Sequence, residues 1–249
     1  MDVILSAATH RSGSTLLQRI FNARKETLVW GEHLGVLRDF VHIQQKVMRM
    51  SRMGQKSRES YFNQGENPNQ WLAIMAPGPY FIRAATIQSV KMYLDCLYSQ
   101  HREGHDMVGF KEVRYGAQEL SILQECYPQA KLVLIVRNPI EAWKSYPKSW
   151  GEYRSALQFA RQWNRNVNYY LQLVNSNPNA SLIQYEKMVR KDPVTIERLA
   201  QLAQLTHQEI HSVLAQKIRG SRRKKTITMA QRAIIRRHCR RNMRLLGYL

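Results

Sequence analysis

Short apolar runs rich in β-branched residues alternate along this chain with longer stretches whose apolar positions recur every three or four residues. That alternation predicts strands interleaved with helices, the pattern of an α/β fold with a central parallel sheet flanked by helices. Strands are expected at Val3–Ala7 (V-I-L-S-A), 107–111 (M-V-G-F-K), 132–136 (L-V-L-I-V) and 181–184 (S-L-I-Q). The unbroken apolarity of 132–136 marks a central strand covered on both faces. Helical spacing shows at Ile87, Val90, Leu94 and Leu97, and again at Ile235, Cys239, Met243 and Leu246. The stretch 53–69 is polar and aperiodic and reads as a mobile loop. Neither an internal repeat nor a linker interrupts the pattern, so one domain over residues 1–249 is expected.

Composition supports a folded core. With 249 residues and 44% hydrophobic side chains, a compact fold removes roughly 70–75% of the unfolded chain's surface from water, which excludes overall disorder. No apolar run approaches the ~18 residues of a membrane span. The opening M-D-V-I-L-S-A-A lacks the basic segment of a secretory signal. Cys96, Cys126 and Cys239 are an odd number without metal-like spacing, and read as reduced core thiols of a cytoplasmic protein. His101 and His105 lie four apart, but Gly104 interrupts any helix between them and no third ligand is evident, so no metal is expected.

Charge is the anomaly. Lys and Arg total 38 against 18 Asp and Glu, a net +20, which points to a polyanionic partner or to a solvated basic face. The excess concentrates late: no carboxylate side chain follows Glu209, while lysines and arginines continue from Lys217 to Arg244.

Two segments carry chemistry. The first strand runs into Ala8-Thr9-His10-Arg11-Ser12-Gly13-Ser14-Thr15 and then an apolar helix. A strand, a tight glycine turn and a helix N-terminus make an anion cradle, because free N–H groups and the helix dipole converge there. The pattern approximates the nucleotide P-loop, but Ala8 replaces its first glycine and Ser14 its lysine, and the cation has moved to Arg11. The second segment is Arg137-Asn138-Pro139, where Arg137 ends a central strand, the place where open α/β sheets bind ligands. Ser145 follows two turns into the next helix, and an arginine fork with a hydroxyl suits a phosphate monoester.

These residues carry a resemblance. A strand followed by R-S-G-S-T-L-L, then a strand ending in R-N-P with a serine eight residues after the arginine, is similar to the sulfotransferase family. Gly109-Phe110-Lys111-Glu112 resembles that family's central lysine strand. Gln184-Tyr185-Glu186-Lys187-Met188 with Lys191-Asp192-Pro193 resembles its Y-E-D-L…D-P segment, and Leu246-Gly247-Tyr248 its L-G-Y close. The resemblance implies a P-loop NTPase-like sulfotransferase fold, with 3′-phosphoadenosine-5′-phosphosulfate (PAPS) as donor, 3′,5′-ADP as product and a small-molecule acceptor. By resemblance, Arg11, Ser12, Gly13, Ser14 and Thr15 form the 5′-phosphosulfate loop, Arg137 and Ser145 hold the 3′-phosphate, and Tyr185 lies near the adenine. Residues 219–225 stand where the family supplies a late loop over the 3′-phosphate, with Ser221 and Arg222 as its candidate contacts. Members with a histidine base place it two residues after the strand lysine, but Val113 stands there. Other members use a glutamate about twenty residues past the loop, which here is Glu32, twenty-one residues after Arg11. Glu32 is therefore the implied general base and His33 the alternative, with Lys111 and Arg11 stabilising charge on the transferred group.

Two rival readings make separate demands. A P-loop kinase-like phosphotransferase needs a phosphate lysine and a Mg²⁺ carboxylate at a strand end, yet Arg137 occupies the position after 132–136. A basic nucleic-acid-binding module needs aromatics interleaved with the basic run, and beyond Glu209 there is only Tyr248. The expected protein is therefore a soluble enzyme acting on a small metabolite, without specific nucleic-acid or membrane partners.

Overall fold

The computed structural model of the chain describes residues 1–216 and 226–249; Ser221, Arg222 and the rest of the run 217–225 lie outside the described residues. Five strands, β1 (Val3–Ala7), β2 (Thr27–Trp30), β3 (Met107–Val113), β4 (Lys131–Val136) and β5 (Ala180–Gln184), form one sheet in the order β2-β3-β1-β4-β5. Every neighbouring pair is parallel. The helices are α1 (Ser14–Phe21), α2 (Leu37–Met53), α3 (Gln55–Asn63), α4 (Pro79–Leu97), α5 (Ala117–Cys126), α6 (Pro139–Ser145), α7 (Ala156–Ser176), α8 (Tyr185–Val189), α9 (Pro193–Ala203), α10 (His207–Ala215) and α11 (Met229–Leu245), with a 3-10 turn at Lys148–Trp150. None of them is long and apolar enough to cross a membrane.

The chain divides into two compact units. The first, Met1–Leu34, Tyr98–Ala117 and Gln129–Leu249, holds the whole sheet. Parallel strands need both faces covered, and this sheet has both. On one face, Leu17, Ile20 and Phe21 of α1 pack with Val3, Leu5, Ala7, Val133 and Ile135, joined by Ile196, Leu199 and Ile210 from α9 and α10. On the other lies α7, whose Phe159, Trp163, Val167 and Tyr170 are fully buried. Helix α11 packs against α7 with Ile235, Cys239 and Met243, the stripe its sequence spacing predicts. Each fully buried side chain of this kind contributes about 1.5–3 kcal/mol.

The second unit, Gly35–Leu97 with Gln118–Pro128, is helical. Helices α2 and α4 pair, Arg83 bridges Glu125 and Ser121, and the Tyr127 hydroxyl donates to Asp95 at 2.9 Å. Trp71, Tyr80 and Phe81 are exposed on it.

Several expectations change. The segment 53–69 is not a loop throughout: α3 occupies Gln55–Asn63 and buries no residue. Its two aromatic residues, Tyr61 and Phe62, are adjacent and make no stripe at helical spacing for a reader to find. The buried stripe of α4 is Ile82, Thr86, Val90 and Leu94, and Leu97 is exposed. Strand β2 has only four residues at the sheet edge, too short to declare itself. All three cysteines are free, but Cys96 is exposed, so only Cys126 and Cys239 are core thiols.

Candidate active site

The carboxyl ends of β1, β3 and β4 carry the functional side chains. After β1 the backbone turns through two left-handed residues, Arg11 (φ +65°) and Gly13 (φ +93°). A side chain at position 13 is excluded twice over, since its Cβ would lie 2.2 Å from the Tyr185 ring. The turn is pinned from behind. Ser12 Oγ donates to the Thr9 carbonyl at 2.8 Å, Asn166 Nδ2 to the Ala8 carbonyl at 2.8 Å, and Arg137 Nη1 to the Arg11 carbonyl at 2.9 Å. At the start of α1 no side chain caps the helix, and its first turn contains no acid. The N–H groups there are oriented to receive an anion. Ser14 is nearly buried beneath them and Thr15 is exposed.

Arg137 follows β4 and is the hub of a second cluster. Its guanidinium lies 4.4 Å from the centre of the Tyr185 ring, and its Nη1 also reaches Ser145 Oγ at 3.4 Å. Ser145 gives its own proton to the Ala142 carbonyl, so its lone pair faces the arginine. Arg137 Nε is buried and has no hydrogen-bond partner among the described residues, and the same holds for Arg11 Nε. Helix α6 begins where Asn138 Oδ1 caps the Ile140 N–H, with Pro139 in its first turn. Glu186 then locks three segments together, accepting from the Asn138 N–H and from the Tyr248 hydroxyl, each at 2.9 Å. Burial and the adjacent Glu186 carboxylate push the Tyr248 phenol above its usual range. One carboxylate thus joins the R-N-P, Y-E and L-G-Y segments.

Strand alternation sorts the remaining candidates. Successive β3 side chains face opposite sides of the sheet. Lys111 shares a face with Met107 and Val113, which pack with α1, and its ammonium is paired with Glu32. Lys111 aligns with Leu5 of β1 and Glu32 follows the end of β2, so the pair sits at the carboxyl edge of the sheet on the α1 face. Glu112 points to the other face and is wholly buried, accepting from the His33 N–H at 3.2 Å. His33, the neighbour of Glu32, therefore lies across the sheet from it. Its Nδ1 is 2.6 Å from the Tyr98 hydroxyl and its Nε2 2.5 Å from the Tyr115 hydroxyl. Burial pulls its pKa below the ordinary histidine value, Glu112 opposing and Arg114 reinforcing. A neutral imidazole results, donating through one nitrogen and accepting through the other.

The sheet thus brings together Arg11, Ser12, Gly13, Ser14, Arg137, Ser145 and Tyr185, and separately pairs Lys111 with Glu32. Further residues belong to the site without an obvious sequence signal. Glu152 accepts from Arg114 at 2.7 Å and meets His10 Nε2 at 2.5 Å, tying the turn after β1 to the end of β3. Burial would raise the Glu152 carboxyl, but His10 and Arg114 outweigh it and hold it below the usual range. Trp150 lies 5.9 Å from the Arg11 guanidinium, facing it with its ring. Only Asn166 left a trace in the sequence, an amide inside the apolar stripe Phe159, Trp163, Val167 and Tyr170. Besides the Ala8 carbonyl, it binds that of Arg114 at 3.2 Å. His105 Nδ1 lies 2.6 Å from the His101 carbonyl. Among the described residues no group of three or more His, Cys, Asp or Glu side chains could hold a metal ion.

A family model described as the sulfotransferase family matches residues 4–209. No curated protein sequence matches the chain. Solved structures do resemble it. The sulfotransferase domain from the curacin biosynthetic pathway is 15% identical, with a TM-score of 0.55 over 100% of this chain and 98% of that one. The sulfotransferase domain of the Synechococcus PCC 7002 olefin synthase is 14% identical, with a TM-score of 0.51 over 96% and 87%. The sulfotransferase STF9 of Mycobacterium avium is 12% identical, with a TM-score of 0.53 over 98% and 76%. At such identities the likeness is one of fold, the P-loop-like sulfotransferase fold. With the family model covering most of the sequence, the cradle after β1 and the arginine after β4 find their common explanation: this chain belongs to the sulfotransferase family.

Proposed function

We propose that the protein transfers the sulfo group of PAPS to a hydroxyl or amine of a small-molecule acceptor. The observation that carries this reading is Arg137. A guanidinium held against the Tyr185 ring and Ser145 Oγ at a strand end is arranged for an oxyanion beside an aromatic ring. The 3′-phosphate and adenine of PAPS are such a pair. The backbone N–H groups of residues 11–15 then receive the 5′-phosphosulfate. PAPS supplies an activated sulfo group whose departure leaves 3′,5′-ADP. Charge that develops on the bridging and equatorial oxygens is met by Arg11, Lys111 and the loop N–H groups, which act best when already aimed there. Glu32 takes the acceptor proton; its place on the α1 face beside Lys111 favours it over His33, whose two ring nitrogens face tyrosine hydroxyls on the other side of the sheet. Ser221 and Arg222, outside the described residues, are the further candidates for the 3′-phosphate by resemblance alone. The free thiols suit a reducing, cytoplasmic setting.

Calorimetry with 3′,5′-ADP and 5′-AMP tests the assignment. Charge-assisted contacts of this type contribute about 1.5–3 kcal/mol, so the bisphosphate is expected to bind at least about tenfold more tightly. Equal affinities would overturn the 3′-phosphate assignment and with it the donor.

A further inference from the structure

The chain's excess of positive charge is not consumed by the donor site. On α11, Arg232, Arg236, Arg237, Arg240, Arg241 and Arg244 are all exposed, and none forms an ion pair among the described residues. The run 217–225 cannot neutralise them, since it contains no carboxylate. Beside this helix an open groove of about 410 Å³ lies along α7, lined by Arg161, Asn164, Arg165, Asn168, Tyr169 and Gln172 together with His238 of α11 and Ala117 of α5. No acidic side chain lines it. Arg161 and Arg165 are one helical turn apart, as are Arg237 and Arg241 flanking His238, so each pair repeats at a rise of about 6 Å. Like charges at this spacing repel and destabilise a helix, and a bound polyanion would reverse that.

We propose that the groove between α7 and α11 binds an acidic oligosaccharide, one carrying a carboxylate or sulfate on most of its sugars. The polar lining groups have counterparts in that chemistry. Arginine forks match carboxylate and sulfate oxygens bidentately. The amides of Asn168 and Gln172 both donate and accept, as sugar hydroxyls do; Asn164, whose oxygen already accepts from Asn242 at 2.8 Å, adds its amino group, and Tyr169 offers an aromatic wall. A single-stranded nucleic acid calls for several stacking aromatics, and the groove has one. A flat anionic membrane does not enter a concave groove. The surface is separate from the donor site: it lies on the outer side of α7, while Trp163, Asn166 and Tyr170 on the inner side reach the strand ends.

The test uses the full chain at physiological salt with a labelled polygalacturonate octamer, a labelled oligothymidylate octamer of comparable charge, and phosphatidylglycerol vesicles. The polygalacturonate is expected to bind best, and Arg161→Ala/Arg165→Ala to weaken it about tenfold or more. These positions are exposed, so the variant folds, which its unchanged affinity for 3′,5′-ADP verifies. That control also separates this inference from the donor assignment, which the nucleotide comparison judges on its own. Equal or tighter binding of oligothymidylate or vesicles, absence of polygalacturonate binding, or full binding by the variant would each overturn the proposal.

Discussion

Arg137 holds two places in the site at once: it fixes the Arg11 carbonyl of the anion loop and stacks on Tyr185. Its neighbours have sharply defined tolerances. Gly13→Ala introduces both a clash with Tyr185 and a left-handed alanine, and backbone strain of that kind costs on the order of 1–3 kcal/mol. Loss of 3′,5′-ADP binding and a lower melting temperature are expected together, and a fully functional variant would contradict the described loop. In the proposed reading, Glu32→Gln keeps shape but removes the proton acceptor. Turnover is expected to fall by ~10²–10⁴-fold with nucleotide affinity kept, as steady-state rates and calorimetry on the same variant will show. His33 has a different signature. Its pKa is lower folded than unfolded, so the unfolded chain takes up the proton first as pH falls. The stability it contributes is complete above its unfolded pKa of about 6.5 and is lost below that value. His33→Gln is therefore expected to give a shallower drop in melting temperature on going from about pH 7 to about pH 5.5.

Among the elements, α7 does more than cover the sheet. Along one face it places Trp163 on the Arg137 carbonyl at 3.0 Å, Asn166 on those of Ala8 and Arg114, and Tyr170 on that of Tyr115 at 3.0 Å. These carbonyls lie just past the ends of β1, β3 and β4, so one rigid helix sets the spacing of all three site segments. Asn166→Ala leaves two carbonyls without that donor, at a cost of about 1–3 kcal/mol. Chemical denaturation is expected to show that loss, accompanied by weaker 3′,5′-ADP binding because the loop is no longer tied. Destabilisation with unchanged nucleotide affinity would reduce Asn166 to a packing residue. The same helix was not singled out from the sequence. Phe159, Trp163, Val167 and Tyr170 stand at helical spacing, but no local signal tells an amide that it will meet a carbonyl 158 positions away.

Over the whole molecule, the cysteines report the packing. Cys126 and Cys239 are buried, and burial pushes their thiols up to about 11 and about 12. A thiol in that state is a poor nucleophile. Titration with a disulfide reagent is expected to label Cys96 alone in the native protein and all three in denaturant; rapid labelling of a second native thiol would contradict the described core. Charge acts at the same scale. A net +20 raises the local concentration of anionic ligands and falls in effect as salt screens it.

Much of this protein is determined locally. β1 and β4 are continuous apolar runs, Gly13 and Pro139 sit where a turn and a helix start require them, and α11 carries an apolar stripe at helical spacing. Such features depend on neighbours in the chain, and a reader of the sequence finds them. Strand alternation goes further, for it already separates Lys111 from Glu112. What decides their roles is tertiary. Glu32 meets Lys111 and His33 meets Glu112 across 79 positions, and His10 meets Glu152 across 142. A hydrogen bond or an ion pair requires only that two atoms converge, and leaves no period in either segment. α3, whose two aromatic residues are adjacent, and β2, four residues long, escape notice for a related reason: their sequences hold too little pattern to choose one conformation.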